Sequence, residues 1–236
     1  YYEDQVDNYK QNHFQIHWNQ IYQNGWNSNF GIHFTNGKGF FENYNLGYGA
    51  SDYIDRRWID NDFYGILFSL NNKTDDFNVN IGGSLNKYNG LHYGEYIWYD
   101  QINSPVNQYD FKEKFYDDFG DKGEFNIYAK IDYYISDRLT LYGDLQFRNI
   151  KYDAGISANS TSTGYIEDGF ENLDKSFNFF NPKFGLFYNL NKNNNLFFSF
   201  ARAHREPTRT DYANGNPNEE KLDDLELGWK LKSNNL

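Results

Sequence analysis

Residues 26–35, WNSNFGIHFT, put Trp26, Ser28, Phe30, Ile32 and Phe34 on one side of an extended chain, and Asn27, Asn29, Gly31, His33 and Thr35 on the other. Strict alternation of this kind marks a β-strand with one apolar and one wet face. The pattern recurs at 12–22, where Phe14, Ile16 and Trp18 oppose Gln15, His17 and Asn19. It returns near 58–70, 77–85, 125–135, 139–148, 177–190, 195–204 and 224–231, which makes nine predicted strands. Polar turns at about 23–25, 71–76, 136–138, 191–195 and 232–235 alternate with long segments at about 36–57, 86–123, 149–176 and 204–222. The first turn, Gln23-Asn24-Gly25, is a hairpin signal.

Alternating tight turns and long loops are what an antiparallel up-and-down transmembrane β-barrel shows, and nothing in a Greek-key sandwich requires them. A strand of roughly 10 residues, rising about 3.3 Å each and tilted about 45°, crosses roughly 23 Å, close to the apolar band of such a barrel. The apolar rows would then face lipid and the charged rows a watery lumen, with Tyr, Trp and Phe forming girdles near the strand ends. The competing arrangement, a soluble all-β domain, would turn the same apolar rows to a dry core. The fold class expected is all-β, a partial barrel of about 9–10 strands within a larger one.

Composition strengthens the membrane reading. Aromatic residues make up 21% of the chain, with 22 Tyr and 22 Phe, yet the mean hydropathy is −0.90. Aliphatic mass is thin for a packed core of this size. No cysteine is present, which removes disulfides, thiolate metal sites and a cysteine nucleophile. The net charge of −11 argues against nucleic acid as a partner. No apolar run approaches the roughly 18 residues of a membrane helix. Position 1 is Tyr and no signal peptide precedes it, so the chain is expected to be an internal piece of a longer protein, all of 1–236 lying in one barrel domain. Nine is odd while bacterial barrels of this type are even, so further strands are expected from outside the sequence or from other chains.

Five stretches carry a family resemblance. FFSFARAHREPTRTDYANG at 197–215, followed by EKLDDLELGWKLKSNNL at 220–236, resembles a barrel segment of the TonB-dependent outer-membrane receptors, in which a strand ending in such a stretch precedes an outer loop. The next strand there opens on a spacing matched here by Leu222, Asp224, Glu226 and Gly228. NGKGFFENY at 36–44, RRWIDNDFYG at 56–65 and GGSLNKYNGLHYGEYIW at 82–98 resemble preceding hairpins of the family. The resemblance implies a 22-stranded barrel in the cell outer membrane, occluded by an N-terminal plug, that imports a scarce ligand with energy passed on by the TonB complex. The plug and the TonB-binding segment are not in this sequence.

Candidate chemistry falls into two groups. Tyr88, His92, Tyr93, Tyr96, Trp98, Tyr99 and Tyr109 give the 86–123 segment enough ring surface to stack on a small ligand, or else to pack within the loop and hold it closed. Arg202, Arg205, Glu206, Arg209 and Asp211, with His204 and Pro207 among them, form a dense charged run where a strand meets a loop; Glu226 lies on the following strand. That run could meet the plug or an anionic ligand, or could be a lumenal salt-bridge network that sets register. His17 and His33 share a polar face, but the five histidines lack the close spacing of a closed metal site, so no metal or cofactor is expected. Gly37 and Gly39 lack the context of a phosphate cradle and would let a strand bend on leaving the membrane. Asp117, Asp118, Asp121 and Glu124 could repel anions, attract cations or simply be solvated, and 157–164 reads as a low-complexity loop tip. No serine–histidine–acid set has catalytic spacing, so an enzyme is not expected. Import of a ligand leads; a passive porin-like channel and a scaffold for other outer-membrane proteins are the alternatives.

Overall fold

The computed structural model describes residues 5–46, 52–100, 114–157, 170–213, 215 and 217–232; Tyr109 and the 158–164 loop tip lie outside them. The strands are β1 (Asp7–Ile21), β2 (Trp26–Asn45), β3 (Tyr53–Lys73), β4 (Phe77–Tyr99), β5 (Lys114–Ser136), β6 (Leu139–Ser157), β7 (Phe170–Asn191), β8 (Asn194–Arg205) and β9 (Glu220–Leu231), with one short helix, α1 (Arg209–Ala213), before the last. They form one open sheet in which every strand pairs antiparallel with its neighbours in sequence. The predicted strand count and up-and-down order therefore stand.

The tight turns at 23–25, 136–138 and 191–195 fall where the sequence places them, and local chemistry explains each; β3 runs to Lys73, so the turn expected at 71–76 narrows to 74–76, and residues 233–235 of the last expected turn lie outside the described residues. Gly25 closes the first hairpin at φ 82°, left-handed backbone that glycine adopts without penalty, and its N–H donates to the Tyr22 carbonyl at 3.1 Å. Ser136 Oγ accepts from the N–H groups of Arg138 and Leu139 at 3.3 and 3.2 Å. Asn191 Oδ1 accepts from the N–H of Asn193 at 3.0 Å in the β7–β8 turn.

On the other side the structure corrects the expected loops. Much of 36–57, 86–123 and 149–176 is strand, and β4 and β5 each run 23 residues. At about 3.3 Å per residue that is roughly 75 Å, far beyond what a bilayer needs. Above the lipid both faces of a strand meet water. The apolar–polar alternation therefore fades while the backbone ladder continues, and the sequence loses its strand signal where the strand does not end. Gly37 and Gly39 lie within this paired extension, opposite Gln11 and Tyr9. A side chain at Gly37 would strike the Tyr9 ring, so these positions accommodate a neighbouring ring inside a continuous strand, not a bend at its exit.

Below that level the apolar residues line up across the sheet. Ile16, Ile32, Ile66, Leu85 and Phe125 are successive register partners, as are Leu141, Leu186, Phe198 and Leu227. They are not covered by protein: Phe14 is 66% exposed, Ile127 41% and Leu227 81%. Contiguous apolar surface of that extent has a place in hydrocarbon and not in water. The buried apolar cluster sits elsewhere, at the outer end of the sheet, where Ala154, Ile156 and Leu173 close around Tyr212.

Candidate functional site

Strand alternation divides the six aromatic candidates. They belong to β4, not to a loop, so neighbouring positions point to opposite faces. Tyr88 and His92 share the wet face, with the Tyr88 hydroxyl 3.3 Å from His92 Nε2. Tyr93 lies on the outer face, stacked on Trp58 at 5.7 Å with planes 12° apart, and Lys114 Nζ sits 4.2 Å from its ring centroid. Trp98 is also outward, exposed, 6.4 Å from Tyr44.

Between them the ladder slips. Ile54 pairs with Trp98 but Asp55 pairs with Tyr96, so Ile97 is a bulge without a partner. The extra residue restores Tyr99 to the side of Tyr96, and both join Tyr53: Tyr96 meets Tyr53 edge-on at 5.3 Å and Tyr99 at 5.1 Å. Phe115 stacks on Tyr96 at 4.4 Å, and Tyr116 meets Phe115 edge-on at 5.0 Å. The candidates thus divide into an inner Tyr88–His92 contact, an inner ring cluster around Tyr96 and Tyr99, and two outward rings, Tyr93 and Trp98, each with its own partner.

The charged run behaves differently at its two ends. Arg202 grips Asp223, its register partner on β9, with Nε and Nη2 at 2.6 and 3.0 Å. Arg205 reaches Glu220 at 2.7 Å across the same pair of strands, with both side chains exposed. Glu226 lies opposite Ser199, away from the rest. His204 stacks on Phe179 at 5.4 Å with planes 4° apart, and its Nδ1 is 2.8 Å from Asn181 Oδ1. β7 and β8 cease to pair beyond Lys183 and Ala201, next to Pro182, which has no N–H to give the ladder.

From Glu206 onward the chain folds against the wet face of β5 and β6. The Glu206 carboxylate accepts from Lys122 and lies 3.6 Å from Arg148, which itself binds Glu124 at 2.9 Å. Arg209 donates to the buried Asp118, which also accepts from the N–H and hydroxyl of Ser157 at 2.9 and 2.7 Å. Thr208 and Asp211 cap α1 reciprocally: the Asp211 carboxylate accepts from the Thr208 N–H and hydroxyl at 2.7 Å each, and Thr208 Oγ1 accepts from the Asp211 N–H at 3.3 Å. This is a capping box, and it sets the turn that points Arg209 and Tyr212 at the sheet. Tyr212 then fills the hollow of Ala154, Ile156 and Leu173, with Lys175 Nζ 5.6 Å from its ring centroid.

The electrostatics follow from this crowding. Burial lowers the pKa of Arg209, and burial together with the Arg209 charge holds His92 below its ordinary value. Burial pushes the Tyr116 hydroxyl up. For Glu206 burial opposes ionisation, but the Lys122 hydrogen bond and the charges of Lys122 and Arg148 outweigh it, and the carboxyl sits below its usual range. The Thr208 hydrogen bonds lower Asp211. Hydrogen-bonding groups and rings therefore face the interior side by side, suited to holding a polar, partly aromatic or chelated ligand. No group of three or more His, Asp or Glu is placed to hold a metal ion among the described residues.

Lys122, Arg148 and Tyr212 are partners that sequence reasoning missed, and Asp118 was singled out only as one of several acids, without a partner. One signal for Asp118 and Lys122 was available: once β5 is extended, parity separates Asp118, Lys122 and Glu124 from the outward Asp117 and Asp121.

A family model described as the TonB dependent receptor-like β-barrel matches residues 1–236. Among solved structures, the ferric-catecholate import receptor Fiu from E. coli K12 in its open form aligns with a TM-score of 0.66 at 15% identity, over 98% of this chain and 39% of that one. The copper transporter OprC aligns with a TM-score of 0.76 at 12% identity, over 96% and 38%. The ferric citrate transporter FecA in its unliganded form aligns at 0.63 and 14%, over 94% and 32%. This chain thus spans 39% or less of the length of these three proteins. They are receptors and transporters, not enzymes. No curated protein matches the sequence.

Proposed function

We propose a function that proceeds from kinship: the chain belongs to the TonB-dependent receptor-like β-barrel family, outer-membrane proteins, and acts as part of a barrel that actively imports a scarce small ligand. The ligand would be captured at the mouth by the extracellular loops and the inner wall, then passed down the polar lumen. Energy would come from the TonB complex, engaged through a region outside residues 1–236. No catalytic role is proposed.

The observation that supports this reading best is the mouth itself. The inner rings of Tyr53, Tyr96, Tyr99 and Phe115 supply stacking surface. The inward-folded Glu206–Tyr212 segment supplies charge and packs over the wet face of β5 and β6. Ring surface and paired charges set side by side favour recognition of one cargo over unselective passage.

The test is uptake by cells carrying the full-length protein, with and without TonB, alongside mass spectrometry of small molecules extracted from the purified protein. TonB-dependent uptake of a recovered molecule is expected. Passage that persists without TonB would indicate a channel. Recovery of no ligand, with stable partner proteins co-purifying, would indicate a scaffold.

A further inference from the structure

The lipid-facing surface carries a groove at the upper edge of the apolar band. Its volume is about 740 Å³, and Ile32, Phe34, Tyr64, Ile66, Leu85 and Phe125 form its apolar walls. One end of the groove is left open at a single residue, Gly123. Lys87, Gly123 and Lys151 are successive register partners on β4, β5 and β6, and a Cβ at Gly123 would meet no atom within 4 Å. The sheet therefore has a gap flanked on each side by an outward lysine.

The two lysines differ. Lys87 is paired with Asp121, one step further from the membrane on the same face. Lys151 is exposed and makes no ion pair among the described residues. Asp62, Asp121 and Asp153 form the outward row above, so the positive charge faces the membrane side of an acidic band. A cation at the top of an apolar trough, at the level where headgroups begin, matches a ligand with a negative head and a hydrocarbon tail.

We propose that this groove holds a phosphorylated lipid of the surrounding leaflet, its phosphate against Lys151 and Lys87 in the Gly123 gap and one acyl chain along Ile66, Leu85 and Phe125. Such a lipid covers apolar surface that no side chain fills, and it neutralises Lys151 where water thins out. The site faces away from the lumen, so it is distinct from ligand import and its failure would leave that reading intact.

Native mass spectrometry of the full-length protein in detergent tests it, with dioleoyl phosphatidylglycerol as probe and dioleoyl phosphatidylcholine as the neutral comparison. One phosphatidylglycerol should be retained about tenfold more strongly than phosphatidylcholine. Lys151→Gln should abolish that preference, and Gly123→Leu, which puts a side chain where a Cβ meets no atom within 4 Å, should remove the bound lipid. Uptake of the imported ligand should be unchanged in both. Equal retention of the two lipids, or full retention in Gly123→Leu, would overturn the proposal, as would protein dimers in place of lipid that disappear with Gly123→Leu.

Discussion

Asp118 on β5 accepts a hydrogen bond from the guanidinium of Arg209, 91 positions further along the chain, and so ties the β8–β9 connection to the inner wall four strands away. Breaking a buried pair from one side costs roughly 3–5 kcal/mol because the remaining charge loses its counter-ion. Arg209→Ala leaves Asp118 with the Ser157 donors alone. The expected outcome is release of residues 206–213 with the barrel intact, seen as faster amide exchange in that segment and unchanged exchange in β5 and β6.

Tyr212 anchors the same segment by packing. Its ring is 2% exposed against Ala154, Ile156 and Leu173. Tyr212→Ala should cost on the order of 3 kcal/mol locally through lost burial and the cavity left behind. Tyr212→Phe, which keeps the ring, should cost much less. Limited proteolysis at 206–213 would rank the two; equal cleavage would place the anchoring elsewhere.

Acid should loosen the segment in two stages. His92 is held below its ordinary value of 6.5, so the unfolded form takes up its proton first and stability falls as pH drops from about 6.5 towards the folded value. Glu206 is held below 4.5, so its contribution is complete above about 4.5 and is lost as pH falls through its folded value. Amide exchange across 206–213 measured against pH should show both steps, and Glu206→Gln should remove the lower one.

The two faces of β5 and β9 should answer differently to charge. Ile127 lies outward in the apolar band, so Ile127→Arg should cost roughly 2–4 kcal/mol in bilayer-based unfolding. Glu226→Arg, on the wet face opposite Ser199, should cost far less. Similar losses at both positions would contradict the assignment of faces.

The fold was legible wherever lipid imposed a pattern. Trp26–Phe34 and Phe125–Ile135 alternate because hydrocarbon lies on one side and water on the other, and strand number, order and turns follow from that. Beyond the apolar band the constraint lifts: Lys87–Trp98 reads as an aromatic loop although it is paired strand. The mouth was legible only in part. The charged run 202–211 was visible, but its partners Asp118, Lys122 and Arg148 lie 58 to 91 positions upstream of their contacts, a separation that no local pattern encodes.

The bulge at Ile97 has an effect like a one-letter insertion in a code read two letters at a time. Every side chain after it is re-addressed, so Tyr99 lands among the inner rings instead of beside Trp98's neighbours outside. Were Ile97 paired into the ladder with no slip, Tyr99 would turn to the outer surface and the mouth would lose a ring with its sequence unchanged.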